Sequence, residues 1–141
     1  MPPRAVMDTN VLIAGLRSRN GAAFELLRLW RAGKWKLVLS NGVLLEYEEI
    51  LKRDVTTLNL TLGDADKLLD ALCLLAEPCL TSDRWTPILS DPSDEAFAQL
   101  TFESKSDCLV THNLRHFTPA AAHGIKVLAP RAFLDMVRAS R

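Results

Sequence analysis

Ala5-Val6-Met7-Asp8-Thr9-Asn10, close to the amino terminus, is the stretch that decides the fold. Its three apolar residues read as the body of a short buried strand over residues 4–8, and Val11-Leu12-Ile13-Ala14-Gly15-Leu16 carries the apolar run onward. An acid at the carboxyl end of a first parallel strand stands where open α/β sheets bind their ligands. Asp8 is therefore the first candidate site residue.

Working outward from this stretch, helices and strands alternate. Residues 22–31 read as a helix whose apolar face comes either from Phe24, Leu27 and Trp30 or from Leu26 and Leu29, with Gly33 as its stop. Lys36 to Leu39 reads as a second strand. Ser40 caps a helix over residues 41–53, where Val43, Leu44, Tyr47, Ile50 and Leu51 recur at helical spacing. Residues 56–63 form a connector, and Asp64 to Ala76 a further helix with Leu68, Leu69, Leu72 and Leu75 as its buried stripe. Residues 78–92 have no regular pattern until Asp91 caps another helix and Pro92 takes its first position, where a missing N–H is harmless. Cys108 to Thr111 and Ile125 to Leu128 read as two more strands, and Pro130 to Val137 as a closing helix. The alternation predicts a single α/β domain over residues 1–141, with a mainly parallel sheet between two helical layers.

Bulk properties narrow the function less than the distribution of charge does. Hydrophobic residues make up 48% of 141, which suits a chain with a core and not a disordered one. Seventeen Lys and Arg offset seventeen Asp and Glu, so net charge gives no sign of a nucleic-acid partner. Residues 1–36 nevertheless hold seven basic and two acidic side chains, residues 37–107 five and fourteen, and residues 108–141 five and one. An acidic middle between basic ends suits a cation site ringed by phosphate-attracting charge; ordinary solvated faces would give the same numbers. No apolar stretch approaches the roughly 20 residues of a membrane span, and the amino terminus lacks the apolar core of a signal peptide. Cys73, Cys79 and Cys108 are odd in number and lack metal-site spacing, so they read as reduced core residues of a cytoplasmic protein.

The acids at plausible partner positions for Asp8 are Glu46, Asp91, Asp94 and Asp107. Glu46 falls about 100° from the centre of its helix's apolar face, at the rim, whereas Glu49 points to solvent. Asp91 and Asp94 also suit a helix start for purely structural reasons, since acids there satisfy free amides and the dipole. Asp107 opens a strand that closes on Thr111, His112 and Asn113. His112, His116 and His123 have no clear metal spacing, although His116 and Arg115 are placed to touch phosphate. Arg17, Arg19 and Arg115 are the candidate substrate contacts, because a guanidinium fork matches phosphate geometry. Converging carboxylates suit Mg²⁺ or Mn²⁺, hard ions that prefer oxygen ligands and keep several waters. Such an ion activates water and stabilises charge at phosphorus, so neither a serine triad nor a reactive cysteine is required.

In order along the chain, Met7-Asp8-Thr9-Asn10, Leu44-Leu45-Glu46-Tyr47, Asp91-Pro92-Ser93-Asp94 and Asp107-Cys108-Leu109-Val110-Thr111-His112-Asn113-Leu114-Arg115-His116-Phe117 resemble the PIN-domain ribonucleases, in particular VapC-like toxins of toxin–antitoxin pairs. The resemblance spans nearly the whole chain; each piece is weak alone and the ordered set is specific. It implies a three-layer α/β/α fold and Mg²⁺- or Mn²⁺-dependent cleavage of single-stranded RNA by a metal-activated water. It matches Asp8, Glu46 and Asp94 to the family's three metal-site acids. Asn113 falls where many members have a fourth acid, a departure that favours one ion over two. Asp91 and Asp107 become accessory acids, and Thr9, Asn10 and Thr111 the small polar residues that orient the others. Trp35 or Trp85 becomes a surface on which bases stack. A small antitoxin and a homodimer are the implied partners.

Two other classes fit less well. A haloacid-dehalogenase-type phosphatase needs a second acid two residues after the first, and that position is Asn10. A non-catalytic module that keeps the fold and binds RNA or protein is the alternative reading, and the presence of Asp8, Glu46 and Asp94 together argues against it.

Overall fold

The computed structural model describes residues 1–140. Five strands form one sheet in the order β3-β2-β1-β4-β5: β1 (Arg4–Met7), β2 (Lys36–Leu39), β3 (Glu77–Pro78), β4 (Cys108–Val110) and β5 (Val127–Leu128). Every pairing is parallel, with Ala5 opposite both Leu37 and Cys108. The central strands β1, β2 and β4 are buried on both faces, which is why they read as short unbroken apolar runs and not as alternating ones.

Six α-helices flank the sheet: α1 (Thr9–Arg17), α2 (Ala22–Arg31), α3 (Asn41–Arg53), α4 (Leu62–Leu75), α5 (Pro92–Glu103) and α6 (Pro130–Ala139). The expected α/β/α layering is thus the observed one. α1 packs on α2 and α2 on α6, while α3 packs on α4 and α5 lies over β1 and β4. Ser40 caps α3 by accepting from the Val43 amide at 3.2 Å, and Thr61 and Asp64 close a reciprocal capping box on α4. Asp91 caps α5 by accepting from the Ser93 amide at 3.0 Å, with Pro92 in the first turn. On α2 the buried residues are Ala23, Leu26 and Trp30, a mixture of the two faces that the spacing allowed.

Several expectations need correction. The apolar run after Asn10, to which no element was assigned, lies in a helix over residues 9–17. A ten-residue 3-10 segment, Leu114–His123, occupies a stretch with no expected element; Pro119 inside it bars an α-helix. On α4, Leu69 and Leu72 are buried but Leu75 is exposed, because the helix rests on α3 by one narrow side. Of the cysteines, only Cys108 is in the core, where burial pushes its thiol up to about 12; Cys73 is exposed and Cys79 half-buried. Trp35 is 1% exposed, its indole N–H donating to the Leu26 carbonyl at 2.7 Å and its ring edge-on to Phe133. It is a core residue and offers no surface to a base. No helix among the described residues is long and apolar enough to cross a membrane.

Candidate metal centre

From the centre of the sheet, the chain progresses outward toward β3 on one side of β1 and toward β5 on the other. Such a reversal opens a crevice at the carboxyl ends of the two middle strands, here β1 and β4. A cleft of 580 Å³ lies there, and its walls include Asp8, Glu46, Asp91 and Asp94 together with Asn113 and Arg17.

Each acid is delivered by a different element. Asp8 leaves β1 as the N-cap of α1 and is 8% exposed. Its amide donates to the Val110 carbonyl at 2.8 Å, extending the β1–β4 ladder by one residue and fixing where the carboxylate emerges. Its Oδ2 accepts from Thr111 Oγ1 at 2.7 Å. The Thr111 hydroxyl in turn accepts from the Asn113 amide at 3.0 Å and from Asn10 Nδ2 at 3.5 Å, and Asn10 Oδ1 accepts from the His112 amide at 3.3 Å. Thr111 thus orients Asp8, and Asn10 ties the end of β1 to the turn after β4. Glu46 comes from α3 and accepts from Thr9 Oγ1 at 3.1 Å. One residue on, the buried Tyr47 hydroxyl donates to the Met7 carbonyl, which locks α3 to the end of β1 and sets Glu46 beside Asp8.

Asp94, in the first turn of α5, is 9% exposed. Its Oδ2 is buried and has no hydrogen-bond partner among the described residues. His116 Nδ1 lies 3.6 Å from it. A buried carboxylate oxygen without a donor is costly, and the electrostatics reflect it. Burial, with the negative Asp8 and Asp91 adding to it, pushes the Asp94 carboxyl up to about 6. Burial also raises Asp8, against the Thr111 hydroxyl and the first amides of α1. Glu46 is raised by burial and further by Asp8, with the Thr9 hydroxyl opposing. Asp91 behaves differently: the Ser93 amide and hydroxyl hold it below the usual range.

Not every expected residue reaches the cleft. Asp107 sits at the opposite end of β4, just before the strand that Thr111 follows, where it accepts from the Arg4 amide at 2.7 Å; it does not line the cleft. Arg19 is exposed after α1 and lines no part of the cleft. Arg115 lines a neighbouring depression instead. The Trp85 indole N–H is bound to Glu95 Oε2 at 2.6 Å and the ring leans on Phe102, so neither tryptophan lines the cleft. Tyr47 and Glu95 are the residues the sequence reading passed over. Tyr47 sits at an apolar helical position, and its hydroxyl was the one sign that it did more than pack. The Glu95 carboxylate also accepts from the Ile88 amide at 2.8 Å, bracing the loop that leads into Asp91. A separate depression of 390 Å³, whose walls include Leu29 and Val137, contains no acid and does not suit this chemistry.

The donor set fits a hard divalent cation. Three acids held above their usual range by burial, Glu46 and Asp94 further by the charge of Asp8, and one with an oxygen lacking any donor, form a place where positive charge is needed. Among the described residues, no three His, Cys, Asp or Glu side chains already stand in a closed ligand set.

The comparisons with known proteins bear on the fold and the family. No curated protein matches the chain in sequence. In structure it is similar to a chain of the VapBC2 complex from Rickettsia felis, crystallised bound to a DNA fragment from their promoter. The TM-score is 0.61 at 14% identity, covering 89% of this chain and 98% of that one. At that identity the likeness speaks for the fold. The family model described as the PIN domain matches residues 4–115, from the first residue of β1 to just beyond Asn113, and so takes in every acid of the cleft. The chain belongs to the PIN domain family.

Proposed function

We propose that the protein is a metal-dependent endoribonuclease that cuts single-stranded RNA, and that it serves as the toxin of a toxin–antitoxin pair. The observation that carries this reading is the orphaned, buried Asp94 Oδ2 beside Asp8 and Glu46. A fold has little reason to bury such a cluster unless a cation joins it.

Asp8, Glu46 and Asp94 are the residues that would hold Mg²⁺ or Mn²⁺, with the neutral carbonyl oxygen of Asn113 at the same wall. One ion suits this set better than two, because Asn113 brings no charge. When bound, the ion supplies a water of lowered pKa and offsets charge at the scissile phosphate. The chain's own residues do the positioning. Thr111 and Thr9 fix one oxygen each of Asp8 and Glu46, leaving the other oxygens for ligation. Arg17, on the cleft wall, offers a guanidinium to the RNA backbone. The structural likeness to VapBC2 supports a small antitoxin as partner, and a basic side chain entering the acid cluster would silence it. A homodimer accords with the same family.

The test is cleavage of a mixed-sequence single-stranded RNA by the purified protein, with Mn²⁺ and with chelator, beside Asp8→Asn. Metal-dependent cuts that vanish in the folded variant are expected. Wild-type activity in Asp8→Asn would remove Asp8 from the site. RNA binding with no cleavage in either protein would favour a non-catalytic binding module.

A further inference from the structure

Beside the acid cleft lies a second depression, of 460 Å³, whose walls include Ser90, Arg115, Thr118 and Pro119. Asp91, Asp94 and His116 line both, so one shared wall separates them. Arg17 belongs to the cleft alone and Arg115 to the second depression alone. Among the described residues, neither guanidinium is in an ion pair. Thr118 Oγ1 donates to the Arg115 carbonyl at 3.0 Å, which fixes the turn that presents the arginine.

We propose that the Arg115 depression is a second phosphate subsite, which takes a backbone phosphate of single-stranded RNA other than the one at the acids. The proposal rests on the ribonuclease reading and names the path of its substrate. Asp91 and Asp94 repel a polyanion, so a strand that crosses their wall needs a cation beyond it as well as before it. Arg115 is the guanidinium on the far side, and its planar fork suits a phosphodiester. The depression is of the size of ordinary small-ligand sites, about 300–1,000 Å³. Pro119 adds an apolar wall for a ribose, and Ser90 an exposed hydroxyl.

The test is the affinity of the full chain for a fluorescein-labelled, mixed-sequence single-stranded RNA, measured by anisotropy across a salt series. Arg115→Ala is expected to bind about 5-fold more weakly and to lower the slope of log affinity against log salt by about 0.7, the share of one single-strand phosphate. Arg17→Ala should do the same on its own, and the double variant should show the sum, because separate phosphates make independent contacts. Arg131→Ala, exposed on α6 and lining neither depression, is the control and should bind as wild type. An unchanged slope and affinity in Arg115→Ala would overturn the proposal. So would a double variant no weaker than either single one, or an equal loss in Arg131→Ala. Cleavage measured in parallel separates this from the ribonuclease reading. Arg115-dependent binding without any metal-dependent cut would remove the nuclease and keep the subsite. Normal cuts with unaltered Arg115→Ala binding would do the reverse.

Discussion

At the scale of single residues, Asp94 concentrates the conflict between folding and function. Its carboxyl is pushed from an ordinary 3.8 up to about 6, chiefly by burial and then by Asp8 and Asp91. Between those two values the folded chain binds more protons than the unfolded one, so stability falls as pH rises. Above about 6 the full penalty is present, and below 3.8 it is gone. Without metal, this group is expected to lower the thermal midpoint between pH 4 and 6, on top of any other titration. Asp94→Asn should remove that component and melt higher than wild type at pH 7, while losing cleavage. A calorimetric pH series on both proteins checks it; equal slopes would mean that the acid is relieved by something other than protons. Asn113→Asp tests the other departure at this site. It is expected to keep or raise Mn²⁺ affinity in a calorimetric titration, and a clear loss would mean that Asn113 is not turned toward the ion.

At the scale of elements, legibility followed burial. β1, β2 and β4 were readable because they are buried on both faces and are bounded by polar residues. α3 was readable because one side faces solvent and Ser40 marks its start. α1 was not, since Val11, Leu12, Ile13 and Gly15 are all buried and leave almost no polar side to reveal a period. Gly15 is where that helix is most constrained. A Cβ there would stand 2.5 Å from Leu27 Cδ1, which can swing away, but also 3.1 Å from the Ala23 carbonyl oxygen, which is backbone. Gly15→Ala would otherwise gain roughly 1 kcal/mol from helix propensity. Overpacking against α2 is expected to outweigh that gain, for a net loss of about 1–2 kcal/mol by denaturant titration. Tyr47 joins two elements through one hydroxyl. Tyr47→Phe leaves the Met7 carbonyl without that donor and should cost about 1–3 kcal/mol in stability. It should also weaken Mn²⁺ binding, because Glu46 is the neighbouring residue. Unaltered metal affinity would confine Tyr47 to packing.

At the scale of the whole molecule, the sheet order assembles a site from pieces scattered over a hundred residues. Asp8 was legible as an acid at a strand end, Asp91 and Asp94 at a helix start and Glu46 at a helix rim, and the cleft unites them. Asp107 precedes its strand and so stands at the end away from the crevice, but sequence alone did not say what it meets there. The same limit hid the job of Arg4, counted among the basic residues near the amino terminus. Its guanidinium grips Glu77 of β3 and the Ser104 carbonyl, at the end of the sheet that Asp107 occupies. Metal should act on the molecule as a whole. An ion that binds only the folded chain stabilises it by about 2.7 kcal/mol at a hundred times its Kd. Mn²⁺ is therefore expected to raise the melting temperature of the wild type and much less that of Asp8→Asn. A rise shared equally by both would place the ion elsewhere.

Both outer strands of the sheet, β3 and β5, are two residues long, and β3 ends in Pro78, which has no N–H to give. Such margins offer a passing extended chain almost no ladder to join, and so guard against the edge-to-edge stacking that leads to fibrils. Any assembly of this chain, with its own copies or with others, is left to side-chain surfaces and not to the addition of a strand. Its associations should then be broken by point substitutions on those surfaces, and not by competition from a strand-forming peptide.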